Sequence, residues 1–174
     1  MAKETNKVRS LKEVRDAIAK GLADITTEDL VVSHLDFGEH AEGYRWELHR
    51  GEVPFWVDLM RFQGQLDLLV AYSIMFVVPE KWDESKKTEL YRFLLSLNDF
   101  SQSWDTKFFL KGTAVVLCAS RAGDEITKES SRFLVDSFSR FAQILSQKVS
   151  ENYGELTKLT VKTEDGNSVE TGQN

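Results

Sequence analysis

Residues 66–78, LDLLVAYSIMFVV, carry apolar side chains in both registers of a two-residue repeat. Successive side chains of a strand point to opposite faces, so a run that is apolar at odd and even positions alike has no face to give to water. Such a strand belongs in the middle of a sheet and is expected to be covered on both sides for part of its length. Its uncharged part, 68–78, is interrupted by Tyr72 and Ser73. It falls well short of the roughly 18 apolar residues of a membrane span.

The segments before it share the same period. LVVSHLDF (30–37) alternates loosely, and Glu39 to Gly43 supplies a turn. In YRWELHR, Tyr44, Trp46 and Leu48 point one way while Arg45, Glu47 and His49 point the other. RGE then turns the chain into VPFWVDLMRF, and Gln63-Gly64 turns it into the central run. Gaps this short join antiparallel strands, because parallel pairs need long crossovers. Pro54 has no N–H to donate to a ladder, which puts its end of the strand at an edge or a bulge.

Helices flank this sheet. Ser10-Leu11-Lys12-Glu13 is a capping box, and Leu11, Val14, Ile18 and Leu22 form a stripe of period 3.6 over residues 10–24. After VPEKW, Asp83 caps a second helix whose stripe is Leu90, Phe93, Leu94 and Leu97 and which ends at Asn98-Asp99. A hairpin follows: SWDTKFFL, the tight pair Lys111-Gly112, then TAVVLCASR. Thr127 caps the last helix, in which Leu134, Phe138, Phe141, Leu145 and Val149 make the stripe, widened by Phe133, Ala142 and Ile144. It reaches about residue 152, with Gly154 as the stop. From 155 to 174 the chain is polar and is expected to be a disordered tail. The order α-β-β-β(-β)-α-β-β-α over residues 10–154 makes one α+β domain, a single antiparallel sheet packed by three helices.

Composition narrows the function. The 174 residues carry 22 basic and 28 acidic groups for a net charge of −6, with no basic run longer than Lys86-Lys87, so no footprint for nucleic acid is present. The single cysteine, Cys118, rules out a disulfide within the chain, and its apolar surroundings in TAVVLCAS predict a buried, inert thiol. The N-terminal MAKETNKVRSLKEV has no hydrophobic segment of the secretory kind. These features predict a soluble protein of the cytoplasm.

The element order, and above all the stretch FVVPEKWDESKKTELYRFLLSLND, resembles the YbjN family, whose fold is like that of type III secretion chaperones. The later hairpin and the helix that opens at DEITKES fit the same pattern, so the resemblance covers residues 10–152. It implies a non-catalytic domain, commonly a homodimer, that binds other proteins or influences stress and sensory regulation. It brings no catalytic positions and no cofactor.

Two groups of residues compete as sites. His34, Asp36 and His40, with His49 further on, are residue types that ligate zinc, and the first and last of that trio fall within zinc-site spacing. A metal- or small-ligand-binding regulatory domain built on residues 34–49 is therefore the alternative reading. Strand geometry weighs against it, since His40 falls in a turn and His49 at the far end of the next strand. No G-x-S-x-G, phosphate-binding glycine loop or H-E-x-x-H is present, so no enzyme is expected. The second group is aromatic. Trp56 lies opposite Phe55 and Val57, so its strand offers apolar side chains to both faces, which helices on both sides would cover. Alternatively Trp56, together with Tyr91, Phe93 and Leu95 of the second helix, forms a surface for a protein partner or a homodimer.

Overall fold

The computed structural model describes residues 9–26, 30–63, 66–98 and 106–153 of the 174. Expectations for Gly64, Asp99, Trp104, Gly154 and the tail 155–174 lie outside the described residues. The elements are α1 (Leu11–Ala23), β1 (Val32–Asp36), β2 (Ala41–Arg50), β3 (Val53–Phe62), β4 (Leu66–Val77), α2 (Glu84–Asn98), β5 (Lys107–Lys111), β6 (Ala114–Ala122), a 3-10 turn (Gly123–Glu125) and α3 (Lys128–Asn152). This is the α+β order read from the sequence, with four strands in the first run.

The strands form one antiparallel sheet in the order β1-β2-β3-β4-β6-β5. Four consecutive strands meander because their connections are short. The chain leaves through α2 and returns as the β5–β6 hairpin, with β6 beside β4 and β5 at the rim. Pro54 sits beyond the β3–β4 ladder, whose last pair is Trp56 with Tyr72, so its missing N–H costs no ladder bond.

The first hairpin turn lies earlier than expected. It occupies Gly38 to His40, and Gly43 is inside β2, opposite Met60. A Cβ at residue 43 would land on the Leu59 carbonyl oxygen, so this glycine marks a close approach of two backbones rather than a reversal.

All three helices lie against one face. Trp46, Val57, Ala71 and Ala119 form one row across it and are all buried. α1 brings Val14, Ile18 and Leu22 onto this face, and α3 brings Leu134, Phe138 and Leu145. Phe138 meets Phe55 edge to face with centroids 5.8 Å apart. α2 closes the β5 end with Leu90 and Leu94 beside Phe108. Removing any of the larger of these side chains from water contributes about 1.5–3 kcal/mol. Polar ties lock the helices to the strands. Arg50 donates to Asp136 at 2.8 Å and to Ser139 at 3.0 Å, and Arg61 grips Asp67 through two nitrogens while reaching the Arg9 carbonyl at 2.9 Å.

The central run therefore departs from expectation. β4 is central, but from Asp67 to Ser73 its odd positions are buried while Leu68, Val70, Tyr72 and Ile74 stay half-buried. Among the described residues no helix covers the second face, contrary to the reading that helices cover both faces of the strand that carries Trp56. Consecutive burial at Met75 and Phe76 comes from a register shift between Ile74 and Phe76, which admits both side chains to the same core.

Candidate functional site

The histidine segment folds as the β1–β2 hairpin. His34 pairs with Tyr44 and packs its ring edge-on at 5.6 Å. Asp36 accepts the Gly38 N–H at 2.8 Å, which organises the turn. His34, Asp36 and His40 do border one shallow polar depression of about 380 Å³, together with Glu39, Glu42, Arg61 and Gln63. His49 is excluded from it: it pairs with Pro54 at the opposite end of β2. Among the described residues, no group of three or more His, Cys, Asp or Glu side chains is placed to hold a metal ion.

The aromatic candidates separate onto two surfaces. Trp56 lies on the face away from the helices, stacked on Tyr72 with centroids 5.5 Å apart. Around them on the same face are Met60, Phe62, Leu66, Leu68, Val70, Ile74 and Phe109, with Phe62, Leu66 and Phe109 exposed at 37%, 50% and 45%. An antiparallel sheet with one wet face normally alternates apolar with polar. This one does not.

Among the described residues, one ion pair crosses the middle of that apolar field. Arg45 donates from Nε and Nη2 to the two oxygens of Asp58, both at 2.8 Å, and lies over the Tyr72 ring at 5.9 Å. The hydrogen bond to Asp58 is the main cause of the raised pKa of Arg45, and burial chiefly pushes the Tyr72 phenol up to about 12. Both keep their ordinary charge at neutral pH. Cys118 is half-buried beside Tyr72 and Lys107, and burial pushes its thiol up, away from the nucleophilic thiolate.

The second surface is a groove of about 390 Å³ between α2 and the rim strand β5. Tyr91, Leu94, Leu95, Phe108, Phe109, Leu110 and Val115 line it, together with the amide-bearing Asn98. Leu95 is 64% exposed, whereas Phe93 turns from it toward Tyr153 at the end of α3, with centroids 6.0 Å apart. Of the expected surface residues, Tyr91 and Leu95 thus share a site, Trp56 belongs to a different one, and Phe93 is spent on packing. Sequence reasoning missed Tyr72, Met60, Phe109, Leu110 and Asn98. Their signal was the surplus of apolar residues at alternate positions, but assigning it to a face requires the register.

Asn98 terminates the sheet at this rim. Its side-chain carbonyl accepts the Phe108 N–H at 2.6 Å and its amide donates to the Phe108 carbonyl at 3.1 Å. Lys107 in turn donates to the Asn98 backbone carbonyl at 2.6 Å, where the dipole of α2 is negative. Among the described residues, no helix is long and apolar enough to cross a membrane. No protein-family model matches the chain, and no curated protein is significantly similar to it.

Proposed function

We propose that this chain is a non-catalytic protein-binding domain, chaperone-like or regulatory in the manner of the YbjN family, acting in the cytoplasm as a homodimer. The α2–β5 groove is the observation that carries this reading. It is open, almost wholly apolar, and sized for a few side chains of a protein segment. Exposed apolar surface concentrated in one place marks an interaction site. Element order and the alternation of helix and sheet segments support the family reading.

The test compares the proteins captured by the wild-type chain with those captured by a Leu95→Asp, Leu110→Asp variant. Both side chains are about half exposed or more, so the variant keeps its circular dichroism spectrum. A partner held by the wild type and lost by the variant is the expected result. Retention of every partner by the variant refutes the groove as the binding site.

A further inference from the structure

We propose that the uncovered face of the sheet binds the same face of a second copy of this chain, about a two-fold axis running along β4, to form an aligned β-sandwich. This deepens the homodimer reading above, on which it rests, by naming its surface and symmetry.

Extent is the first argument. The face, with its charged margins, runs from Glu47 on β2 across β3, β4 and β6 to Lys107 on β5, four strand spacings, and its apolar residues run lengthwise from Leu66 to Ile74. At about 4.8 Å between strands and about 3.3 Å per residue, its flat footprint is roughly 500 Å² before side-chain relief. A stable interface uses about 800 Å² per partner, so this face supplies more than half of that area before its side-chain relief is counted.

Charge supplies the second argument and selects the axis. One row crosses the whole face in register: Glu47 on β2, Trp56 on β3, Tyr72 on β4, Cys118 on β6 and Lys107 on β5. Its middle is apolar, one end is acidic, the other is basic, and both ends are exposed; the Lys107 ammonium gives one N–H to the Asn98 carbonyl and has two left for a partner. Glu47 and Lys107 each stand two strands from β4. Rotation about β4 exchanges the two ends, so Tyr72 faces its own copy and Glu47 of each chain faces Lys107 of the other. A two-fold axis across the strands would instead set β2 over β2 and β5 over β5, bringing like charges together. The remaining charges of the field, Arg45 and Asp58, neutralise one another within each copy and do not oppose the contact. Sheets in aligned sandwiches cross at about 30° and stand about 10 Å apart, which long Glu and Lys side chains span.

The experiment is equilibrium sedimentation of the full chain, from low to high micromolar concentration, for wild type, Glu47→Lys, Lys107→Glu and the double exchange. Each single reversal places like charges at two symmetric contacts and is expected to weaken the dimer about tenfold. The double exchange restores opposite charges and the wild-type dissociation constant. Tyr72→Glu, which sets two carboxylates on the axis, is expected to yield a monomer whose circular dichroism matches wild type. A dimer indifferent to both single reversals overturns this face while leaving the homodimer intact. A wild-type monomer throughout overturns both. A chain that is monomeric at full length and dimerises only after removal of residues 157–174 gives the face to its own terminus, and also overturns the proposal.

Discussion

Removing one partner of the Arg45–Asp58 pair should cost far more than removing the other. The Asp58 side chain is 8% exposed and that of Arg45 is 31% exposed. Substituting Arg45 with Met keeps the aliphatic stem on the sheet but leaves a carboxylate with almost no access to water and no cation beside it, held only by the Tyr72 hydroxyl. Breaking a buried pair this way costs about 3–5 kcal/mol, and the partial wetness of Arg45 argues for about 3. Substituting Asp58 with Asn instead leaves a guanidinium that is already one-third solvated and still lies over Tyr72, for a loss of about 1 kcal/mol. Replacing both, as Arg45→Met with Asp58→Leu, removes the charges together and should return to within about 1 kcal/mol of wild type. The assay is urea denaturation followed by tryptophan fluorescence, at one protein concentration so that any association contributes equally. If Asp58→Asn costs as much as Arg45→Met, or the double variant is as unstable as Arg45→Met alone, the stranded carboxylate is not the governing term.

Gly43→Ala should destabilise the fold by about 2 kcal/mol or more, opposite in sign to the gain that replacing a strand glycine by alanine usually brings, because its Cβ would meet the Leu59 carbonyl; an unchanged urea midpoint would show that β2 and β3 separate freely there. The Asp136 carboxyl, though burial acts to raise it, is held below its ordinary pKa by the hydrogen bonds from Arg50 and Arg140. Its folded value is depressed, so its contribution is complete above the unfolded pKa near 3.9 and is lost as pH falls through the folded value. Arg50→Gln should therefore lower the melting temperature at neutral pH but have a much smaller effect once Asp136 is protonated, which differential scanning calorimetry across the acid range checks.

How far the sequence disclosed this molecule depended on whether a signal was local. Ser10 and Glu13 form the capping box expected of them, and Thr127 caps α3, because caps are made within one turn. Hairpins were legible from short gaps for the same reason. The error at Gly43 has a different origin, since a glycine demanded by a neighbouring strand looks in sequence like a glycine demanded by a turn. The candidate surfaces were half legible. Residues 66–78 declared that both faces of β4 are apolar, and that was right. Attributing cover on both faces of the Trp56 strand to helices failed because the sequence states how much surface is apolar, while only topology decides which elements reach it. The pairing of Trp56 with Tyr72, and the union of Leu95 with Phe109 and Leu110, required strands distant in sequence to come into register.

The small clamp of Asn98 on Phe108 bears on what kind of assembly this molecule tolerates. Rim strands are where sheets grow, because each new strand leaves another rim behind and the process has no natural end. At this rim a single amide occupies the N–H and the carbonyl of Phe108, two of the groups that an incoming backbone would use. Contact through a face differs in kind: two copies related by a two-fold axis consume each other's surface and the assembly closes. At its β5 edge the sheet is thus biased toward contact through its face over growth strand by strand, and one asparagine at the end of α2 sets much of that bias.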